Sequence, residues 1–103
     1  MKATFISLTF ILIHLLISSS AWAGDPFSGA NIYAQYCVSC HGGDGRGEEL
    51  AGTPSFRGGA LMAKSNSDLT SSVKFGRNMM PAFNGVLQDY QIDDVVAYIR
   101  TFN

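Results

Sequence analysis

The stretch CVSCH, residues 37–41, contains both cysteines of the chain and one of its two histidines. A disulfide between cysteines three positions apart would close too small a loop to stabilise much. A thioredoxin-like redox pair belongs beside a strand–helix–strand pattern, and none is visible around these residues. A zinc site would need further cysteines or histidines, and the sequence adds only His14. None of these three interpretations uses every residue of the motif.

A fourth interpretation accounts for the whole of CVSCH. The pattern C-x-x-C-H is the attachment signature of c-type haem. The sulfurs of Cys37 and Cys40 lie one helical turn apart, so both would reach one edge of the porphyrin and form thioethers to its vinyl groups. His41 then lies beneath the iron as the proximal ligand. We therefore expect one covalently bound haem c.

Residues 1–23 have the layout of a secretory signal peptide. A positive start at Lys2 is followed by the apolar run FISLTFILIHLLI, residues 5–17, and by Ala21-Trp22-Ala23 at the cleavage position. The apolar run is shorter than the roughly 20 residues that span a bilayer. We expect cleavage after Ala23, a mature monohaem domain over residues 24–103, and export to the periplasm. Export suits the motif, because bacteria attach haem c outside the cytoplasm.

The charge of the chain is nearly balanced, with seven Lys and Arg against eight Asp and Glu. Lys2 lies in the expected leader, so the mature domain would carry six against eight, a net charge of −2. This balance argues against nucleic-acid binding, which requires a basic patch. A mature domain of about 80 residues has a small core, and domains of this size often rely on a disulfide, a metal or another staple. The haem would supply the missing core.

The apolar periodicity predicts helices and no strand of useful length. Asp25-Pro26 is typical of a helix start, and we expect the first helix over residues 27–40. Its Ile32, Tyr33 and Tyr36 share one face. Residues 42–52 are glycine-rich and predict a loop. A short helical turn is expected over residues 59–64.

Two further helices are expected in the second half of the chain. One begins at Ser65, with Asp68 as its capping partner, and stops at Gly76. The last covers residues 89–101, and its first turn should fray because Gln88 is a poor cap. The core positions of that helix follow the helical repeat: Ile92, Val95, Val96, Ile99 and Phe102.

Further landmarks accompany CVSCH along the mature chain: Gly29 and Tyr33 before it, Thr53-Pro54-Ser55-Phe56 after it, then Met80-Pro81, and DDVVAYIR over residues 93–100. On these residues the chain resembles the class I cytochromes c, the small single-haem electron carriers. The resemblance implies an all-α cytochrome c fold, with three main helices around one covalent haem.

The resemblance also implies roles for particular residues. The carbonyl of Pro54 would accept a hydrogen bond from His41, which fixes the ring and raises its basicity as a ligand. Gly29 would allow the first and last helices to cross closely. At that crossing the last helix would contribute Val95 and Tyr98.

The second axial position of the iron has several candidates, namely Met62, Met79, Met80, a tyrosine or water. An open position suits ligand sensing or peroxide chemistry, whereas a methionine closes it and raises the reduction potential. In GRNMMPAF, residues 76–83, Pro81 drives the residue before it towards an extended conformation. The resemblance implies that Met80 is the ligand, because the family's ligand methionine directly precedes this proline. Met79 is then expected to pack beside the haem, and Met62 at the core or haem edge.

These expectations predict an electron-transfer protein and not an enzyme. It would be a monomeric periplasmic carrier without a stable membrane anchor, taking one electron from a respiratory donor complex. Its acceptor would be a terminal reductase or oxidase, such as a nitrite reductase or a haem–copper oxidase. Two alternatives remain at this point: a haem subunit of a larger oxidoreductase complex, and an open-site haem sensor or peroxidase.

Overall fold

The computed structural model describes residues 24–47 and 52–102. The expected signal peptide over residues 1–23, part of the expected loop over residues 42–52, and the side chain of Met62 lie outside that description. The described residues form five helices: α1 Pro26–Tyr36, α2 Val38–His41, α3 Gly59–Met62, α4 Asn66–Phe75 and α5 Asp89–Ile99. Within those ranges the only β pairing is one isolated bridge between Arg77 and Met80. The all-α prediction is confirmed.

Helix α1 begins as the sequence predicts but ends early. Asp25 Oδ1 accepts a hydrogen bond from the Phe27 N–H at 3.0 Å, and Pro26 occupies the first turn. The helix is interrupted at Cys37, whose backbone stays in the right-handed helical region but with φ −117°. The helix predicted over residues 27–40 is therefore formed as two helices with one residue between them. The second cysteine and His41 lie on a separate turn of helix, α2.

Helices α1 and α5 cross at Gly29. A Cβ atom on Gly29 would lie 2.0 Å from the Asp94 carbonyl oxygen and 3.0 Å from the Cβ of Tyr98. One turn further along, the rings of Tyr33 and Tyr98 meet edge to face, with centroids 5.2 Å apart. The predicted close crossing is confirmed, with the Asp94 backbone making the tightest contact. Any side chain at Gly29 would force the two helices apart.

The caps of the two later helices are both built from side chains. Ser65 Oγ accepts from the Asp68 N–H at 3.0 Å, and Asp68 Oδ2 accepts from the Ser65 N–H at 3.2 Å. This is the predicted capping box at the start of α4. At α5 the Gln88 N–H donates to Gln91 Oε1 at 2.9 Å. The side chain of Gln91 thus closes the first turn of α5, and the fraying expected from Gln88 stays a prediction.

The core lies between α1, α4 and α5. Arg100, just after α5, donates to the Leu61 carbonyl at 2.8 Å and to Asn66 Oδ1 at 2.9 Å, which ties α3 to the last helix. Across residues 24–47 and 52–102, every helix is too short or too polar to cross a membrane. All five core positions predicted for the last helix are buried. The full set of buried apolar residues among those described is Ile32, Tyr33, Cys37, Leu61, Leu69, Val73, Leu87, Ile92, Val95, Val96, Ile99 and Phe102.

Candidate functional site

His41 is the buried polar side chain of the CVSCH motif, with 8% of its surface exposed. Its Nδ1 is buried without a hydrogen-bond partner among the described residues. Burial lowers the pKa of His41 below its ordinary value, because a protonated, charged ring would be deprived of hydrating water at this site. The imidazole is therefore neutral at physiological pH, the form in which histidine binds metal ions.

Aromatic rings fix the orientation of the imidazole. Phe56 stacks on His41 with ring centroids 4.4 Å apart and planes inclined by 16°. Phe102 in turn stacks on Phe56 at 6.3 Å and 11°. A Cβ atom on Gly45 would lie 2.8 Å from the Phe102 ring, so this glycine allows the backbone to approach the stack. His41 is thus held in one orientation by packing.

Hydrogen bonds to the backbone hold the end of the motif. The Tyr33 hydroxyl donates to the Gly42 carbonyl at 2.6 Å. The Gly47 N–H donates to the His41 carbonyl at 2.8 Å, and the Phe56 N–H donates to the Gly45 carbonyl at 2.7 Å. These bonds connect α1 and the segment after α2 to the backbone at His41 and Gly42. Hydrogen bonds therefore hold the backbone of the histidine, and stacking holds the face of its ring.

Cys37 and Cys40 are free thiols in different surroundings. Cys37 is buried in the core between α1 and α2, whereas Cys40 is exposed. Burial, and secondarily Cys40, raises the pKa of the Cys37 thiol to about 11, so this group is protonated at neutral pH. Both sulfurs are available for covalent attachment of a ligand. Within the described residues, no cluster of three His, Cys, Asp or Glu side chains forms a metal site of the zinc type.

Pro54 lies close to the same segment. A Cβ atom on Gly47 would lie 3.0 Å from the Pro54 carbonyl oxygen, and the Gly47 N–H binds the His41 carbonyl. The Pro54 carbonyl is therefore near the histidine in the fold. The predicted hydrogen bond is not formed here, since Nδ1 of His41 has no partner. That bond remains a prediction.

The two neighbouring methionines lie in different environments. Met80 is half-buried and packs against the core, whereas 92% of the Met79 surface is exposed. Met79 therefore has little contact with the protein itself, and its expected packing beside the haem stays a prediction. The difference arises from a tight turn: the Met80 N–H donates to the Arg77 carbonyl at 2.9 Å, and the Arg77 N–H donates to the Met80 carbonyl at 3.1 Å.

The methionine loop is also fastened to the end of α4. The N–H groups of Phe83 and Asn84 donate to the carbonyls of Val73 and Lys74, each at 3.1 Å. These bonds satisfy carbonyls that the last turn of a helix leaves unpaired. The backbone on both sides of Met80 is fixed, which a weak sulfur ligand requires.

This set of donor groups fits a covalent haem. The site offers a neutral imidazole with an unpartnered buried nitrogen, two free thiols three residues apart, and one half-buried thioether on a fixed backbone. A c-type haem needs two thiols for attachment and two axial donors, of which one is histidine. The residues that the sequence singled out would supply these groups.

Sequence reasoning missed two contributors to the site. Phe56 was recognised only as part of a landmark, and its stacking on His41 was not expected. Asn78 was not considered, although it adopts a left-handed backbone with φ 53° in the methionine turn. The signal for Asn78 was present, because asparagine tolerates that conformation better than most residues.

Known proteins share both the sequence and the fold. Residues 24–99 match the family described as cytochrome c oxidase, cbb3-type, subunit III. The chain is 38% identical to cytochrome c6 of Thermosynechococcus vestitus, over 96% of this chain and 91% of that protein. It is 37% identical to cytochrome c6 of a Nostoc species, over 85% of this chain and 80% of that protein.

The structure of cytochrome c6 from the diatom Phaeodactylum tricornutum superposes with a TM-score of 0.65 at 30% identity. The alignment covers 76% of this chain and 93% of the diatom protein. The family match over residues 24–99 spans the motif, the methionine loop and all five helices. The chain belongs to the cytochrome c family, as an electron-transfer protein with one covalently bound haem c.

Proposed function

We propose that this protein is a periplasmic one-electron carrier with His41 and Met80 as axial ligands of its haem iron. Cys37 and Cys40 form the two thioethers, and the Pro54 carbonyl accepts a hydrogen bond from His41. Electrons come from a respiratory donor complex and leave to a terminal reductase or oxidase, such as a nitrite reductase or a haem–copper oxidase.

The observation that carries the proposal is the fixed, half-buried position of Met80 beside an exposed Met79. When bound, the haem supplies a centre that gains and loses one electron. A methionine held by its own backbone stays in place in both oxidation states, so little has to rearrange during transfer. A second axial donor of this kind also closes the iron to exogenous ligands, which favours a carrier over a sensor or peroxidase.

The histidine side supports the same function. Stacking of Phe56 holds the ring, and burial lowers the pKa of His41 and keeps it neutral. The buried Nδ1–H is free to donate to the Pro54 carbonyl nearby, which leaves Nε2 for the iron. Such a partner fixes the tautomer and increases ligand basicity.

Support for the location and the partners comes from outside the site. The signal-peptide pattern of residues 1–23 favours export. The nearly balanced charge of the expected mature domain fits short-lived encounters with redox proteins and offers no basic patch for nucleic acid. We propose that the protein acts as a monomer.

A second candidate function is favoured by the matched family itself. Its description names a subunit of a cbb3-type oxidase. The protein would then be a haem subunit that remains bound to a larger oxidoreductase. Purification of the tagged protein at high salt from whole native cells solubilised in detergent separates the two functions: a carrier elutes alone, and a subunit elutes with its complex.

The direct test of the carrier is ligand binding by the haem-loaded protein. The reduced wild-type protein should bind almost no carbon monoxide at neutral pH, and Met80→Ala should bind it readily. The wild-type protein should also titrate as a single reversible one-electron couple. Rapid binding of carbon monoxide by the wild-type protein would instead support the sensor or peroxidase.

A further inference from the structure

The turn over residues 77–80 separates two methionines that are equivalent as ligands. Met79 and Met80 carry the same flexible thioether on adjacent positions of one loop. Only their backbone positions differ: Met80 packs against the core and Met79 is 92% exposed. Met79 lies within the turn and Met80 ends it, so a slip of one residue would bring Met79 into the position of Met80.

Two reciprocal hydrogen bonds oppose such a slip. The N–H groups of Arg77 and Met80 donate to each other's carbonyls at 3.1 and 2.9 Å. This pairing closes a two-residue loop consisting of Asn78 and Met79, a geometry in which loop length fixes register. Pairing of Arg77 with Met79 instead would leave one residue for the loop, which is too short for the same pair of bonds.

Asn78 makes the two-residue loop possible. Its φ of 53° lies in the left-handed region, and among residues 24–47 and 52–102 it is the one non-glycine residue there. Asparagine tolerates this conformation through its short polar side chain, whereas a β-branched residue is strongly disfavoured in it. Replacement of Asn78 would therefore weaken the turn without removing either methionine.

The segments on both sides of the turn limit how the backbone can respond. Gly76 has φ +75°, and a Cβ atom there would lie 2.6 Å from the Met80 carbonyl oxygen. Downstream, the Phe83 N–H is bonded to the Val73 carbonyl at 3.1 Å. With both ends held, the turn over residues 77–80 is the part of the loop whose conformation decides which methionine takes the half-buried position.

We infer that Asn78 is a positioning residue that selects Met80 over Met79 as the axial ligand, an inference that rests on the proposed ligation by His41 and Met80. Asn78 acts through the register of the turn and does not touch the iron. Weakening the turn produces a second form of the protein in which Met79 is the ligand.

The test uses the full haem-loaded protein with ¹³C-labelled methionine methyl groups. In the reduced state, an axial methionine gives a methyl resonance displaced far upfield by the haem ring current. The variants are Asn78→Val, which disfavours the turn, Asn78→Gly, which retains it, and Asn78→Val combined with Met79→Ala. Asn84→Val is the matched control, because Asn84 lies in the same loop with an ordinary φ.

Wild type, Asn78→Gly and Asn84→Val should each show one axial methyl resonance. Asn78→Val should add a second one with about a tenth of the axial signal or more, as expected for a populated minor state. Adding Met79→Ala should remove the second resonance. Asn78→Ala, a milder change, should show the same second resonance more weakly if Asn78→Val does not fold.

Three results would overturn the inference about Asn78 and leave the proposed ligation by Met80 intact. They are one unchanged resonance in both Asn78→Val and Asn78→Ala, a second resonance that persists without Met79, and loss of all axial methyl signal in these variants. The last result would mean that the turn is merely structural. Failure of the proposed ligation has a different signature. The wild-type protein would then show no axial methyl resonance, or would lose it in Met79→Ala.

Discussion

The histidine side and the methionine side of the haem site are held by different kinds of interaction. His41 is held by ring stacking on Phe56 and by burial in an aromatic cluster. Met80 is held by its backbone, through reciprocal hydrogen bonds with Arg77 and the close approach of Gly76. One side depends on side-chain packing and the other on loop geometry. Mutations on the histidine side should therefore lower stability and spare the methionine–iron bond, whereas mutations in the methionine loop should also change ligation.

The largest expected effect on stability is on the histidine side. Phe56→Ala removes the ring stacked on His41 and its contacts with Tyr33 and Phe102. Phe56 is half-buried against the core, so its loss should lower the free energy of unfolding by about 3 kcal/mol, the lower end of the range for a large aromatic. Guanidinium unfolding followed by circular dichroism measures the change, and the methionine–iron absorption band should persist.

The matched control for this prediction is Phe75→Ala, because 65% of the Phe75 side chain is already exposed. It should be nearly neutral. Equal losses of unfolding free energy in Phe56→Ala and Phe75→Ala would show that the ring stacked on His41 stabilises the fold no more than an exposed phenylalanine does.

A smaller loss of stability, with a change in ligation, is expected on the methionine side. Gly76→Ala places a Cβ atom 2.6 Å from the Met80 carbonyl oxygen on a residue with φ +75°. The strain should cost about 2 kcal/mol. Because the Met80 backbone must shift, the methionine–iron band should weaken and carbon monoxide binding should rise.

Gly85→Ala provides the control, since a Cβ atom on Gly85 would have no neighbour within 4 Å. It should leave both the band and the stability unchanged. A Gly76→Ala variant with wild-type ligation would contradict the claim that backbone contacts position Met80.

The smallest effect concerns the hydrogen bond that connects α1 to the end of the motif. Tyr33→Phe removes the donation to the Gly42 carbonyl and should cost about 1 kcal/mol at neutral pH. Burial raises the pKa of Tyr33 to about 12 from an ordinary 10.0. The folded protein therefore keeps this proton between those values while the unfolded chain releases it, so stability should fall as the pH rises from 10 towards 12.

Unfolding titrations across that alkaline range should show a shallower fall for Tyr33→Phe than for the wild type. Tyr90→Phe, at an exposed tyrosine, serves as the control and should keep the wild-type slope. An unchanged slope in Tyr33→Phe would show that this hydroxyl does not couple folding to alkaline pH.

The same comparison explains what the sequence could predict. CVSCH is contiguous, so the groups proposed to attach and bind the haem on the histidine side could be predicted from five residues. The capping box of Ser65 and Asp68 and the buried face of α5 were equally local and are confirmed. Such features depend on spacing along the chain, which is visible in the sequence.

Features that depend on distant contacts were missed or only partly predicted. No glycine or proline marks the interruption of the helix at Cys37. Near it, the Tyr33 hydroxyl donates to the carbonyl of Gly42, nine residues later in the chain. On the methionine side, Pro81 indicated that Met79 and Met80 point apart. The exposure of Met79 and the bonds between Arg77 and Met80 appear only when the loop is folded against α4.

The central claim is that Met80, and not Met79, is the sulfur ligand of the iron. The most direct measurement is the methionine–iron charge-transfer band of the oxidised, haem-loaded protein in the matched pair Met79→Ala and Met80→Ala. The band should remain at wild-type strength in Met79→Ala and disappear in Met80→Ala. Loss of the band in Met79→Ala with its retention in Met80→Ala would contradict the claim.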